Sequence, residues 1–177
     1  MIIIDTKFSG LKLFKSNLYN DKRGYLREIF KKKNFNKDLI FHYFAKSKKY
    51  VFRGFHFQSI NQQEKFVSVL EGSIIDLCLD LRKNSKTFGK IFKTVLSEKN
   101  RKSIFIPKGF AHGYFTLNKF NLVYFQNSTY RAKNHEKGII WNDKDLNLKL
   151  PIKKPLISKK DKLNITFKDF LKKYKHI

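Results

Sequence analysis

The chain has 177 residues, of which 41% are hydrophobic and 16% aromatic. This length suits one domain with its own core, and this composition excludes a disordered chain. Lysine and arginine (39 residues) outnumber aspartate and glutamate (14), which gives a formal net charge of +25. The single cysteine, Cys78, excludes an internal disulfide.

The positive charge has two interpretations. Clustered cations displace counterions from phosphates, so the first is a nucleic-acid-binding protein. In the second, the many Lys, Asn, Ile and Phe residues, spread along the whole chain, reflect an AT-rich genome. Because no nucleic-acid-binding motif accompanies the charge, we predict no nucleic-acid partner. The positive field is still expected to attract an anionic substrate.

The N-terminal residues, MIIIDTKF, form an apolar run that stops at Asp5. Such a run is too short for a signal peptide, and no later stretch approaches the ~20 apolar residues of a membrane span. We therefore expect a soluble, cytoplasmic protein with no membrane association. The first element predicted after this run is a short helix near Asn34–Ile40.

From about Lys49 to Gln126 the sequence predicts short β-strands separated by Gly, Asn and Lys. Within SIIDLCLDL the apolar residues at odd positions share one face, while Asp76, Cys78 and Asp80 share the other. Several short strands at this spacing predict a β-sandwich or barrel. The predicted strands are Tyr50–Gln58, Glu64–Leu70, Ser73–Leu81, Lys90–Leu96, Ser103–Pro107, Gly113–Leu117 and Asn121–Gln126.

The C-terminal part of the chain is predicted to pack back on this barrel. The Lys-rich stretch 153–162 is expected at the surface. A helix is predicted over Phe167–Tyr174, with Thr166 as its N-cap and an apolar stripe formed by Phe167, Phe170, Leu171 and Tyr174. The predicted organisation is one domain over residues 1–177, with a barrel core at about 45–130 and a packing segment at 150–177.

The segment IPKGFAHG contains Pro107, Gly109 and His112 at the PxGxxH spacing of the second cupin motif. This resemblance implies an all-β cupin fold, a jelly-roll β-barrel with a few short peripheral helices. A metal-binding cupin normally adds a His-x-His pair and a Glu, but here His56 is followed two residues later by Gln58. Divalent metals require three or four well-placed ligands, so we predict an organic acid–base site with no metal and no cofactor.

The segment RGFHFQ, residues 53–58, is the most informative one. Strict alternation places Arg53, Phe55 and Phe57 on one face of a strand, and His56 on the other face with Gly54 and Gln58. A lone histidine in such a strand is more often a hydrogen-bonded structural residue than a catalytic base.

This segment resembles the RGLHFQ signature of dTDP-4-dehydrorhamnose 3,5-epimerases. Further resemblances follow in family order from about residue 10 to 163. They are DKRG at 21–24 with Glu28 after it, QEKFV at 63–67, DLRKNSKTFG at 80–89, IPKGFAHG at 106–113, WND at 141–143 and SKKD at 158–161.

The resemblance implies a reaction that inverts C3 and C5 of a nucleotide-linked 4-keto-6-deoxyglucose, both carbons being acidified by the C4 ketone. Such a reaction needs a base on one face of the sugar, an acid on the other, and a cation or donor near the ketone oxygen. By resemblance, His56 is the base, Asp161 orients it, and Tyr124 is the acid, with Tyr130 as the alternative. Lys65 is expected to stabilise the enolate.

The resemblance also implies substrate-binding residues and an assembly. His112 is expected to assist Lys65, and Asp76 to hold Lys65 or His56 in place. The family is dimeric, which implies a homodimer in which Arg23 and Glu28 reach the neighbouring site. The full predicted substrate-binding set is Arg23, Glu28, Arg53, Gln58, Asp76, His112, Tyr130, Glu136 and Lys160.

One segment departs from the family pattern. Phe41 and Tyr43 stand where the family carries a Gln and an Asn that contact thymine. The site is therefore expected either to hold the base by stacking or to accept another base or sugar. Three alternatives remain: an epimerase of another nucleotide-linked 4-keto-6-deoxy sugar or at one carbon only, a non-catalytic basic cupin that binds nucleic acid, and a metal-dependent cupin.

Overall fold

Two antiparallel β-sheets pack face to face in a computed structural model that describes residues 1–35 and 38–174. The six-stranded sheet has the order β1-β2-β10-β7-β12-β5 and the five-stranded sheet the order β13-β6-β11-β8-β9, while β3 and β4 form a separate hairpin. The strands are β1 Ile2–Asp5, β2 Lys12–Lys15, β3 Leu18–Asp21, β4 Gly24–Arg27, β5 Phe41–Lys48, β6 Phe52–Gln58, β7 Lys65–Glu71, β8 Ser73–Asp80, β9 Ile91–Ser97, β10 Lys102–Ile106, β11 Phe110–Thr116, β12 Phe120–Asn127 and β13 Glu136–Gly138.

The space between the two sheets is filled by side chains from alternate positions of their strands. Val67, Val69, Val123 and Phe125 enter it from the six-stranded sheet, and Cys78 enters it from β8. The odd-numbered apolar residues of β8 lie in a second cluster on the other face of their sheet. The predicted two-faced pattern of this strand is therefore confirmed.

The C-terminal segment covers that second face. Phe57 and Leu79 of the five-stranded sheet pack with Ile139 and Phe170, while Trp141 lies against the same cluster. Because one face meets the opposing sheet and the other meets this segment, every residue of β11 is buried. Burial on both faces explains the nearly continuous apolar character of the central strands.

The predicted C-terminal helix is present as α2, Phe167–Lys173. The Thr166 hydroxyl accepts a hydrogen bond from the Asp169 N–H at 3.0 Å, which confirms the predicted N-cap. Phe170 is buried, whereas Leu171 is 46% exposed, so Leu171 does not belong to the packing stripe. A second, one-turn helix, α1 Lys159–Lys162, lies in the Lys-rich surface stretch and was not predicted.

The helix predicted near Asn34–Ile40 is wrong in its described part. A 3-10 turn occupies Lys32–Asn34, residues 35 and 38–40 are not helical, and residues 36 and 37 lie outside the described residues. Phe35 stacks on Phe14 and Phe30, with ring centroids 5.2 and 4.8 Å apart. Aromatic packing on the outer face of the six-stranded sheet thus decides the local conformation over a weak helix propensity.

The pairing of β6 with β11 contains an extra residue. Arg53 pairs with Tyr114 and His56 pairs with His112, so three steps along β6 match two steps along β11. Gly54 lies in this bulge with a φ of +112°, and a Cβ there would stand 2.5 Å from the Gly113 Cα. Only glycine fits so close an approach of two strands.

Among the described residues, the helices are the two short ones above, and neither has the length or the apolar run needed to cross a membrane.

Candidate active site

A cavity of about 600 Å³ opens between the sheets. Strands β5, β6, β7, β11 and β12 form its walls, and residues 156–161 of the C-terminal segment close one side. Seven ionisable residues of the predicted site line it together, namely Arg53, His56, Lys65, His112, Glu136, Lys160 and Asp161. The fold therefore gathers these side chains from well-separated parts of the chain.

The first contact in the cavity joins His56 of β6 to Asp161 of α1. The imidazole Nε2–H donates to the Asp161 Oδ1 at 2.5 Å, which leaves Nδ1 free to accept a proton. Ser158 caps α1 and accepts the Asp161 N–H at 3.0 Å, which fixes the carboxylate. Burial alone would raise the pKa of Asp161, but the hydrogen bond from His56 and the histidine charge lower it. The carboxylate is therefore ionised and supports an imidazolium.

The second contact joins His112 of β11 to Asp76 of β8. The His112 Nε2 and the Asp76 Oδ2 are 2.8 Å apart, and both side chains are buried. Lys65 stands beside them, and burial lowers the pKa of its ammonium group against the opposing charges of Glu136, Cys78 and Asp76. A desolvated ammonium group beside a cavity is a strong stabiliser of negative charge that develops on a ligand.

Cys78 joins this buried network. Its Sγ lies 3.5 Å from the Asp76 Oδ1, and burial raises the pKa of the thiol well above its ordinary value. The ligand atoms of Asp76, Cys78 and His112 all lie within 4.8 Å of one another, a set of potential metal ligands that counting histidines in the sequence missed. In the described structure, Asp76 and His112 contact each other, burial favours the protonated thiol, and Lys65 interacts with the charges of Asp76 and Cys78.

Cations gather around Glu136 at the cavity mouth. The Glu136 carboxylate accepts hydrogen bonds from Arg131 and, at 2.6 Å, from the Lys160 Nζ. Although burial opposes ionisation, these two partners lower the pKa of Glu136 to about 2. Arg53 lines the same cavity and is held by a 3.1 Å bond from its Nε to the Ser47 hydroxyl. Arg131 was missed because nothing in the sequence around it marks it.

The direction of the Arg53 side chain differs from the one predicted for the RGFHFQ strand. Strict alternation placed Arg53 opposite His56, but both side chains line the cavity. The bulge at Gly54 inserts one residue between them and returns Arg53 to the face of His56. Phe55 and Phe57 share the outer face as predicted.

The two predicted acids lie outside this cavity. Tyr124 lies between Val123 and Phe125, which both point into the barrel, so its own side chain points outward. Its hydroxyl contacts the His42 Nδ1 at 3.0 Å, and Tyr124 is not among the residues that line the cavity. Tyr130 is 68% exposed and packs against Phe41 at the rim.

Three other residues of the predicted substrate-binding set are engaged by neighbouring residues of the chain. Gln58 lines the cavity, but its amide donates to the Asn61 carbonyl at 2.7 Å and accepts from the Ala132 N–H at 2.8 Å. Arg23 is exposed in the β3–β4 hairpin and pairs with Asp21, while Glu28 follows the hairpin and pairs with Lys31. Arg23 and Glu28 do not line the cavity of their own chain.

Two of the sequence motifs are structural. In the DLRKNSKTFG segment, the buried Asp80 carboxylate accepts hydrogen bonds from Arg82, Ser85 and Thr87 and thereby closes the turn after β8. In the WND segment, Asp143 accepts the Phe167 N–H at 2.6 Å and joins its turn to the start of α2.

The fold and the cavity together define a cupin-type jelly-roll barrel with an acid–base site, built from two histidine–carboxylate pairs and a buried lysine. The family sequence profile described as dTDP-4-dehydrorhamnose 3,5-epimerase matches residues 5–169. This chain therefore belongs to the dTDP-4-dehydrorhamnose 3,5-epimerase family, a family of isomerases.

Individual relatives agree with this assignment. The chain is 34% identical to the dTDP-4-dehydrorhamnose 3,5-epimerase of Shigella flexneri, covering 91% of this chain and 93% of that one. The Bacillus anthracis enzyme, solved with TDP and PPi bound, is 33% identical, with a TM-score of 0.90 over 94% of this chain and 99% of that one. The Legionella pneumophila enzyme, solved in complex with dTDP-4-keto-L-rhamnose, is 32% identical, with a TM-score of 0.89 over 93% and 92% of the two chains.

Proposed function

We propose that this chain inverts C3 and C5 of dTDP-4-dehydro-6-deoxy-D-glucose to give dTDP-4-dehydro-L-rhamnose. The observation that carries the proposal is the His56–Asp161 hydrogen bond inside a cavity that Lys65 also lines. A base with an ionised partner and a desolvated cation are what proton removal beside a ketone requires.

His56 acts as the base in each inversion. Its free Nδ1 takes the proton from the carbon next to C4, and the electron pair of the broken C–H bond moves onto the C4 oxygen. The imidazolium that forms is stabilised by Asp161, which lies 2.5 Å from the other ring nitrogen. The Lys65 ammonium compensates the charge of the enolate. The Asp76 carboxylate, which is hydrogen-bonded to His112, favours the charged form of Lys65.

The nucleotide diphosphate is bound by the cations at the mouth of the cavity. Arg53 and Arg131 offer planar guanidinium groups that can each contact two phosphate oxygens, and Lys160 adds a point charge. Glu136 holds Arg131 and Lys160 together, which reduces the mutual repulsion of these cations before the ligand arrives. The bound TDP and PPi of the Bacillus anthracis relative support this class of ligand.

Phe41 supports binding of the base by stacking. Its ring lines the cavity, and Tyr130 packs on it at the rim with the ring centroids 5.8 Å apart. Aromatic faces stack with any base, whereas amide side chains read base edges. An epimerase of another nucleotide-linked 4-keto-6-deoxy sugar is therefore the second candidate function.

A homodimer and a cytoplasmic location complete the proposal. The edge strand β1 exposes Ile2, Ile3 and Ile4, and the β3–β4 hairpin exposes Tyr25 and Leu26. An unpaired apolar edge of this kind favours pairing with a second chain. Such pairing supports the proposal that the hairpin carries Arg23, with Glu28 just after it, toward the neighbouring cavity. Analytical ultracentrifugation tests this: an Ile3→Lys chain should sediment as a monomer and the unmodified chain as a dimer.

The activity is tested by incubating the purified chain with dTDP-4-dehydro-6-deoxy-D-glucose, a 4-reductase and NADPH. Formation of dTDP-L-rhamnose supports the proposal, and its absence with an active reductase contradicts it. Running the same assay with UDP- and GDP-linked substrates decides between the two candidate functions.

A further inference from the structure

Inversion at a carbon needs a proton donor on the face of the sugar opposite the base. This inference rests on the proposed function, in which His56 is that base. Tyr124 points away from the cavity, and the neighbouring inward position holds Phe125, which has no hydroxyl group. The donor must therefore come from another position of this chain.

Two phenols line the cavity among the described residues, and they stand on different walls. Tyr114 lies on β11, which pairs directly with β6, the strand of His56. Tyr43 lies on β5, in the opposing six-stranded sheet. A sugar held between the sheets would meet His56 from one side and Tyr43 from the other, whereas Tyr114 shares the wall of the base.

We propose that Tyr43 is the catalytic acid of this enzyme, in place of the outward-facing Tyr124. Tyr43 is the direct cross-strand partner of Phe125. The two rings stack with centroids 4.8 Å apart and an interplanar angle of 14°. The inward Phe125 thus supports a phenol that reaches the cavity from the next strand.

The surroundings of the two phenols also separate them. Tyr43 is 40% exposed, so solvent can return a proton to it after each turnover, whereas Tyr114 is only 3% exposed. Partial desolvation of the Tyr43 phenol, together with the nearby Tyr114 and Glu136, raises its pKa to about 12, so the phenol is protonated at neutral pH. In the step itself, the enolate electron pair forms the new C–H bond with the phenol proton. Tyr43 is left as tyrosinate and His56 as imidazolium, and both return to their starting states by exchange with solvent.

The test compares Tyr43→Phe, Tyr114→Phe and Tyr124→Phe in D2O, with NMR followed for both exchange and inversion at C3 and C5. Tyr43→Phe keeps its ring on Phe125, and a thermal melt checks its fold. Because His56 still forms the enolate, the expected result for Tyr43→Phe is continued deuterium exchange with inversion slowed about 100-fold or more. Tyr124→Phe should invert like the unmodified enzyme.

Inversion at the normal rate by Tyr43→Phe would overturn the inference, as would a selective loss of inversion in Tyr114→Phe or Tyr124→Phe. If the unmodified chain neither exchanges nor inverts, the proposed function fails instead, so the two failures are distinguishable.

Discussion

The imidazole of His56 and the carboxylate of Asp161 are 105 positions apart in the chain and 2.5 Å apart in space. Two backbone hydrogen bonds between the C-terminal segment and the start of β6 bring them together. Leu156 donates its N–H to the Tyr50 carbonyl at 2.8 Å and accepts the Phe52 N–H at 2.9 Å, so the C-terminal segment runs beside the start of β6. Five residues later, α1 presents Asp161 to His56.

Replacing Asp161 with Asn should slow epimerisation because the amide no longer stabilises the imidazolium or selects the tautomer with Nδ1 free. We expect kcat to fall about 100- to 10,000-fold, with a much smaller change in KM. Steady-state kinetics with the coupled reductase measures both constants. Asp145→Asn, at an exposed position outside the cavity, is the matched control; equal kinetics for the two variants would argue against the role of Asp161.

Glu136 makes stability depend on pH in the acid range. Its pKa in the folded protein, about 2, lies below its ordinary value of 4.5, so the unfolded chain binds the proton more tightly. The stabilisation is fully present above pH 4.5 and is lost as the pH falls toward 2, and it amounts to roughly 2–3 kcal/mol. Glu136→Gln should therefore lower the free energy of unfolding at pH 7 by roughly this amount and have less effect at pH 3.

Urea denaturation at the two pH values measures this difference. Glu71→Gln, an exposed change at the end of β7, is the control and should alter neither value. If Glu136→Gln and the unmodified chain lose the same stability between pH 7 and pH 3, Glu136 is not the group responsible.

Phe41 should contribute to nucleotide binding through its ring alone. Stacking on one aromatic ring is worth about 1–3 kcal/mol per base, so Phe41→Ala should raise the Kd for dTDP about tenfold or more. Phe44→Ala is the matched control on the same strand, since Phe44 is exposed and does not line the cavity. Isothermal titration calorimetry measures both, and an unchanged Kd for Phe41→Ala would contradict the stacking interpretation.

Epimerisation should not depend on a metal ion. The Asp76 and His112 atoms that could bind one are already joined at 2.8 Å, and the Lys65 ammonium beside them would repel a cation. Dialysis against a chelator is expected to leave kcat unchanged, with less than stoichiometric metal by elemental analysis before dialysis. Loss of a stoichiometric ion together with activity, and recovery of both on adding Zn²⁺ or Mn²⁺, would favour the metal-dependent alternative.

Much of the barrel could be predicted because its strands carry a clear period of two. Residues 65–71 and 73–80 alternate between a core face and a second face, and their bounds differ from the prediction by one residue at most. Strands β1 to β5 were not predicted, because β1 is apolar without alternation and β5 exposes most of its aromatic residues. Their conformation depends on pairing with distant strands, which a local pattern does not contain.

The site could be predicted only where a residue's position in the sequence fixes the direction of its side chain. His56, Lys65 and His112 line the cavity as expected. The directions of two side chains differ from those predicted. A bulge in β6 directs Arg53 into the cavity, and Tyr124 points outward because its neighbour Phe125 points inward. One residue of register reverses the face of every side chain in a strand, and no motif records such a shift.

The most direct test of the central claim is solvent exchange at the sugar carbons. The unmodified chain and His56→Ala are each incubated with dTDP-4-dehydro-6-deoxy-D-glucose in D2O, and NMR follows the protons on C3 and C5. We predict that deuterium replaces both protons with the unmodified chain and neither with His56→Ala. Exchange by His56→Ala at the normal rate, or no exchange by the unmodified chain, would contradict the assignment of His56 as the base.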